Sequence, residues 1–547
     1  VSWTFREQPK FFDIVTYTGN GINGRAISHN LGSVPGCIIV KRTDGTSNWV
    51  VYHRSLSVPT NKALRLNSTS AELTSPYFPT TPTSTVFYTN GDGYEVNTTG
   101  QTYIAYIFAH DAGGFGLTGT DNVISCGDYT CVAYPGDVTV TLGYEAQWVM
   151  VKNATQASNW VIYDIMRGMP GTTAVNPVTL APDSNAAENG VTGSAPGISP
   201  TATGFIARAG LTAVSGSSGD KVIYIACRRG PMKVPTTGTS VYNAIVRNGT
   251  QANATVTGVG FPVDLDFTSL RPAGTHNPVL SDRLRGAQTT SSSRGAQAEQ
   301  SEPIALTSFA SMDGVSYGAD NTGFWNGFNS EIGLSYVNWF FKRAPSFFDV
   351  VCYTGTGSAT TFSHNLQAVP ELMIVKRRSA AADWSVYSSA LGNNKYLSLN
   401  DTIASSTTAT YWNNTTPTSS VFTVGVGAQT NGSGSTYVAY LFATCAGVSK
   451  VGSYTGTATT KQIDCGFTAG ARFVLIKRTD STGDWYVWDS ARGIVAGNDS
   501  YLLLNSTAAE VTSTDYIDTY SAGFEISSTA PAAINANGGS FIFFAVA

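Results

Sequence analysis

Three kinds of residue in this sequence could do chemistry: a serine in a glycine frame, five histidines and a thin scatter of carboxylates. Residues 314–318 read GVSYG, the G-x-S-x-G frame that can lift a serine nucleophile above an α/β sheet. That chemistry needs a strand, a sharp turn and a helix. Here the frame lies in a β-rich stretch, at the place where a later copy of the same pattern reads GFEIS (523–527). The histidines are His29, His53, His110, His276 and His364. His29 and His364 both sit in SHNL, with no Cys or carboxylate at ligand spacing, so each is expected to cap a strand end. Glycoside cleavage requires two carboxylates assembled in space, which leaves no local trace. The acids that recur, Glu72, Glu188 and Glu510, follow Asn- or Ser-containing strands and read as structural. No catalytic, metal, cofactor-binding or receptor-binding residue is assigned, no cofactor is expected, and the chain reads as a non-enzyme.

The cysteines are Cys37, Cys126, Cys131, Cys227, Cys352, Cys445 and Cys465, an odd and irregular set. A disulfide framework needs even, regular spacing and a zinc site needs CxxC pairs. Buried free thiols, Cys126 and Cys131 among them, are therefore expected, with folding in a reducing compartment.

Aromatics offer a different chemistry, the stacking of sugars. Lys41, Lys152, Lys376 and Lys477 each follow an apolar run (CIIV, WVMV, LMIV, FVLI) and precede a Trp by eight residues: Trp49, Trp160, Trp384 and Trp485. Between Lys477 and Trp485 lies RTDSTGD, which is turn chemistry, so Lys should face Trp across a hairpin near its mouth. A cation–π contact at an exposed site would contribute about 0.5–1 kcal/mol. A feature present in four copies is expected to build each domain, with sugar binding as the alternative. Tyr77-Phe78, Tyr411-Trp412, Phe324-Trp325 and Phe328 lie in loops, and plugging of domain ends is expected of them ahead of sugar binding. Asn67, Asn153 and Asn505 head Asn-x-Ser/Thr triplets that an Asn/Thr-rich composition produces by chance.

The elements that would hold these residues come from internal repetition. Residues 3–21 read WTFREQPKFFDIVTYTGNG, and residues 339–357 read WFFKRAPSFFDVVCYTGTG. SHNLGSVPGCIIVKRTDGTSNWVVY from Ser28 returns as SHNLQAVPELMIVKRRSAAADWSVY from Ser363. Arg167-Gly168 and Arg492-Gly493 close two copies. A divergent copy keeps Arg285-Gly286 but has His276 where Trp is expected. Aromatic strands end the copies: YIAYIFA (103–109), YIAC (224–227), YVNWFF (336–341), YVAYLFA (437–443) and FIFFAVA (541–547). Short runs of Val, Ile, Tyr, Phe and Thr, broken every 8–12 residues or so by Gly, Pro, Asn and Asp, predict β-sandwiches. The expected fold is all-β, about five tandem antiparallel β-sandwich (jelly-roll or lectin-like) repeats at 10–113, 114–234, 235–343, 344–447 and 448–547, each closing its own core. Residues 1–9 are expected to be the closing strand of an upstream repeat plus a linker, making the chain the C-terminal part of a longer protein.

Charged residues make up only 12%, against 42% hydrophobic, and the net charge is −4. There is no basic stripe for phosphate neutralisation, so nucleic acid is not an expected partner. The basic clusters Lys376-Arg377-Arg378 and Arg228-Arg229 are expected at strand ends, reaching solvent. No apolar run approaches the ~20 residues of a membrane helix, and no membrane insertion is expected.

The repeated pattern (apolar run, I/V-K-R, turn, Trp, V-Y/W-D-S-x-R-G, L-x-N, Y-V-A-Y/W) resembles a domain of tail proteins of marine bacteriophages, cyanophages included. The resemblance implies a virion structural protein, most often a tail fibre used in host-surface adsorption. It also implies a tail-appendage location after synthesis in the bacterial cytoplasm. Implied partners are other copies of the chain as a trimer, other virion tail proteins and host-surface polysaccharide. A head decoration protein without a receptor role, and a polysaccharide depolymerase, are the alternatives. The family carries no catalytic residue onto this sequence.

Overall fold

The computed structural model describes residues 2–116, 118–169, 178–188, 197–230, 232–250, 254–272, 278–285, 296–297, 307–309, 311–317 and 333–547. It is all-β. The α-helices among the described residues are single turns, Thr212–Ser215, Ala428–Asn431 and Ala532–Asn535. The sheets form a multi-domain set of antiparallel sandwiches, each large sheet paired in sequence with a small sheet of two or three strands.

One plan recurs in every large sheet. In the last copy the order is Ser449–Thr455, Ser540–Val546, Phe473–Arg478, Trp485–Asp489, Asp499–Leu503, Val511–Thr514. The strand that closes each copy in sequence therefore lies inside its sheet. Register fixes the equivalences between copies. Phe473 pairs with Val546 and Asp489, Leu372 with Phe442 and Ser388, and Leu265 with Phe341 and Asp282. Cys37 pairs likewise with Phe108 and His53, and Trp148 with Cys227 and Asp164.

The chain divides into two compact units, residues 1–230 and 231–547. Within the second, each repeat closes a core of its own under its small sheet and also shares a further core with its sister repeats. Phe473 and Leu475 face a core shared by three repeats, while Val474 and Ile476 face the core under their own small sheet. Leu372 and Ile374 divide from Met373 and Val375 in the same way. Alternation sends successive side chains to opposite faces, so a run such as FVLI serves two cores at once. The three large sheets of residues 235–547 thus pack their outer faces on one another, with Trp339, Phe341, Phe348, Phe442, Trp485 and Phe544 between them. In the first unit the large sheets of the first two repeats share a core in the same manner, through Trp148, Trp160, Ile223 and Phe108.

Residues 2–7 form no strand, contrary to the expectation for the chain start. They are held by side chains, Trp3 and Phe5 above all.

Candidate functional site

The Lys–Trp hairpin forms as its spacing requires: Lys41 faces Trp49, Lys376 faces Trp384, and Lys477 faces Trp485. The ammonium groups lie 5.9, 5.4 and 5.8 Å from the indole centroids. Tryptophans that build hairpins should be largely buried with Lys alongside, and three of the four are, while Trp49 is half-buried. Trp160, Trp384 and Trp485 are buried, and so are Lys152, Lys376 and Lys477, because a second repeat covers each pair. Lys477 donates to the carbonyls of Gly483 and, at 3.0 Å, of Thr402 in the preceding repeat; Lys152 does the same with Ser158 and, at 2.8 Å, Thr69. Burial pulls all three amines down to about 8. The indole N–H of Trp485 donates to Ser398 O and that of Trp160 to Arg65 O, each at 2.9 Å. These tryptophans fasten one repeat to the next and offer no face to a sugar. The recurring asparagines of the L-x-N strand finish the hairpin, since Asn67, Asn400 and Asn505 accept the backbone N–H of Trp49, Trp384 and Trp485.

A polar chain completes the junctions. Trp339 Nε1 donates to Asp489 at 2.7 Å; Asp489 pairs with Arg492 at 2.6 Å, and Arg492 meets Glu510 at 3.3 Å. Arg271, of the divergent repeat, holds Glu510 from the other side at 2.8 Å. Tyr440 donates to Asp282 at 2.7 Å, and Asp282 in turn pairs with Arg285. The recurring Glu and Arg-Gly signals are thus structural. Glu72 likewise accepts the Ser57 N–H at 3.0 Å.

The serine frame is no elbow. Val315–Tyr317 is a strand, and Ser316 Oγ shares a hydrogen bond with Thr255 Oγ1 at 2.9 Å; Gly318 lies outside the described residues. His29 and His364 cap strand ends. In each, Nδ1 accepts a backbone N–H two residues on at 3.3 Å, while Nε2 meets the Thr83 or Thr418 carbonyl at 3.2 Å. Burial lowers both, and lowers buried His53 to about 4. His276, Gly286, Phe324, Trp325 and Phe328 lie outside the described residues. All seven cysteines are free, and Cys352 alone is not fully buried. Lys376 and Arg229 are buried rather than reaching solvent, Lys376 under its Trp and Arg229 beside Glu145 at 3.4 Å. No group of three or more His, Cys, Asp or Glu side chains among the described residues is placed to hold a metal ion.

Partly open to solvent among the described residues are tyrosine pairs made of Tyr411, Tyr396, Tyr501 and Tyr516, of which sequence reading passed over all but Tyr411. Phe78 and Trp412 are buried plugs, as expected of them, and Trp412 donates to Lys395 O at 2.9 Å. Tyr411 is only half-buried and meets half-buried Tyr396 at 4.5 Å between ring centroids. Register makes Tyr501 the counterpart of Tyr396, each one residue before the Leu that pairs with Val487 or Val386. Tyr501 stacks with Tyr516 at 5.5 Å, and both are half-buried above Trp488 and Tyr486. Carboxylates flank the pair: Asp499 accepts the Val495 N–H at 2.8 Å and Asp518 the Gly497 N–H at 3.0 Å. Burial, with Asp518 and Asp515 nearby, lifts Asp499 to about 7. In the first repeat, Tyr77 is buried like Phe78; it meets half-buried Tyr94 at 5.7 Å and donates to Glu95 at 3.1 Å. Asp499 is itself fully buried, whereas Asp515 and Asp518 are half-buried, and an aromatic shelf with such carboxylates beside it suits a hydroxyl-rich ligand with an apolar ring face. The signal in the sequence was a Tyr one place ahead of the first leucine of L-x-L-N, visible at Tyr396 and Tyr501.

The sequence matches the family described as "Domain of unknown function (DUF7483)" over residues 6–231 and 237–547. The chain belongs to that family. No curated protein matches it. Two spans of one family cover the two compact units in turn, so the unit the family recognises is larger than a single repeat.

Proposed function

We propose that the chain is a structural protein of a bacteriophage virion, a tail fibre that assembles as a homotrimer with other tail proteins and adsorbs to host-surface polysaccharide. The reading is of a binding protein and not an enzyme. The observation that carries it is the half-buried shelf of Tyr501 and Tyr516 beside Asp515 and Asp518, with its relative at Tyr396 and Tyr411. Buried polar ties between repeats support it as well, because a fibre must transmit force along many small domains without losing register. In the full chain, Tyr516→Ala should leave melting within about 1 kcal/mol of wild type, as for a partly exposed side chain. The same change should weaken retention on immobilised host polysaccharide at least tenfold. Equal retention by both proteins would refute the shelf, and antibody against residues 448–547 that labels no part of the virion would refute the fibre.

A further inference from the structure

In residues 235–547 three large sheets close a ring. Tyr440 of the fourth repeat donates to Asp282 of the third, and Trp339 of the third donates to Asp489 of the fifth. Backbone bonds go round the same way, from Ser405 N to Thr479 O and from Glu510 N to Arg271 O. The first unit repeats part of that ring residue for residue. Trp3 donates to Asp164 at 3.1 Å, and Arg167 lies 5.2 Å over its ring, as Arg492 lies 5.5 Å over Trp339. Phe5 meets Phe11, Phe12, Phe108 and Trp148 at 6.1, 5.7, 5.9 and 5.7 Å. Phe341 meets Phe347, Phe348, Phe442 and Phe473 at 6.4, 6.0, 5.9 and 5.7 Å. Trp3 and Phe5 therefore stand where the last strand of the third repeat stands in the second unit.

The surfaces that the third repeat covers are bare in the first unit. Val350 is 1% exposed, and its counterpart Ile14 is 40% exposed. Trp384 stacks on Tyr440 at 6.4 Å and both are fully buried; Trp49 stacks on Tyr106 at 6.2 Å and both are half-buried. The Tyr440 hydroxyl reaches Asp282, whereas no partner for the Tyr106 hydroxyl exists among the described residues. Glu510, clasped by Arg271, has a side chain 7% exposed, and that of Glu188 is 47% exposed.

We propose that Ile14, Trp49, Tyr106 and Glu188 form a docking surface for one occupant: a repeat domain of the 235–343 kind whose last strand is the segment carrying Trp3 and Phe5. It would bring an Asp–Arg pair to Tyr106 and an Arg to Glu188, completing a three-sheet ring. A second copy of this chain is a poor occupant, because its own 235–343 domain is already committed between its fourth and fifth repeats.

The test compares the chain of residues 1–547 with the polypeptide that the whole gene encodes. Ile14→Cys in the shorter chain should react with a maleimide at least tenfold faster than Val350→Cys, and in the longer polypeptide the two rates should agree. Hydroxyl-radical footprinting of the unsubstituted proteins gives the same comparison without a substitution, Trp49 and Tyr106 against Trp384 and Tyr440. Equal, fast modification in both polypeptides would overturn the proposal. So would a longer polypeptide with no such domain, or a shorter chain whose patch is already protected in a sedimenting dimer.

Discussion

Trp49 and Trp384 occupy the same place in near-identical sequence and in the same hairpin register, yet Trp384 is fully buried and Trp49 is not. The whole of residues 1–230 compares with residues 231–547 in this way. The strand plan, the Lys–Trp pairs and the Trp–Asp–Arg contacts are shared. What differs is the number of large sheets around the common core, two in the first unit and three in the second. Exposure of a repeated residue is thus set by its neighbouring repeat, and a local pattern does not contain it.

The comparison breaks most sharply at the tryptophans. Trp485→Ala in the full chain should destabilise the second unit by about 3–5 kcal/mol, the usual cost of deleting a fully buried aromatic. Trp49→Ala should cost less than half as much. Calorimetry should show the two unfolding transitions shifting by these unequal amounts, and equal shifts would mean that the third sheet adds nothing.

Asp489→Ala comes next. It leaves Arg492, whose side chain is fully buried, with the longer contact to Glu510 as its remaining ion pair, and breaking a buried pair in this manner costs up to about 3–5 kcal/mol. Asp164→Ala should cost less, because Arg167 retains Glu188 near solvent. Urea denaturation monitored by tryptophan fluorescence measures both.

Acid should separate the units by sign. His53 takes up a proton near 4 when folded and near 6.5 when unfolded, so its contribution is present above 6.5 and falls away as the pH drops through that window. From pH 7 to 5 the first unit should lose about 2 kcal/mol through this group. Asp499, in the second unit, behaves oppositely. Its folded carboxyl protonates near 7, so stability there rises as the pH falls toward the ordinary carboxylate range. Melting at pH 7, 6 and 5 should therefore move the transitions in opposite directions.

The smallest contrast lies in two hydroxyls. Tyr440→Phe removes a buried bond to Asp282 and should cost about 1 kcal/mol. Tyr106→Phe should change stability by less than about 0.5 kcal/mol, as at other partly exposed sites. The difference between the two melting shifts would vanish if the first unit carried its third sheet.

The sequence by itself determined the strands, the hairpin that sets Lys477 against Trp485, the capping role of His29 and His364, and the plug at Trp412. These follow from period-two alternation, turn residues and repeated spacing, which are local and survive in any neighbourhood. It also showed that FVLI is apolar on both faces. Tertiary structure alone decided what lies over each face, because two apolar faces are satisfied equally by a small sheet of the same repeat or by a large sheet of another. For that reason Trp485 reads locally as a buried hairpin residue, and only in space is it seen to tie its repeat to Ser398 of the preceding one. For the same reason Tyr501 and Tyr516, unremarked in the sequence, became a shelf: among the described residues no sister repeat packs over that end of the sheets.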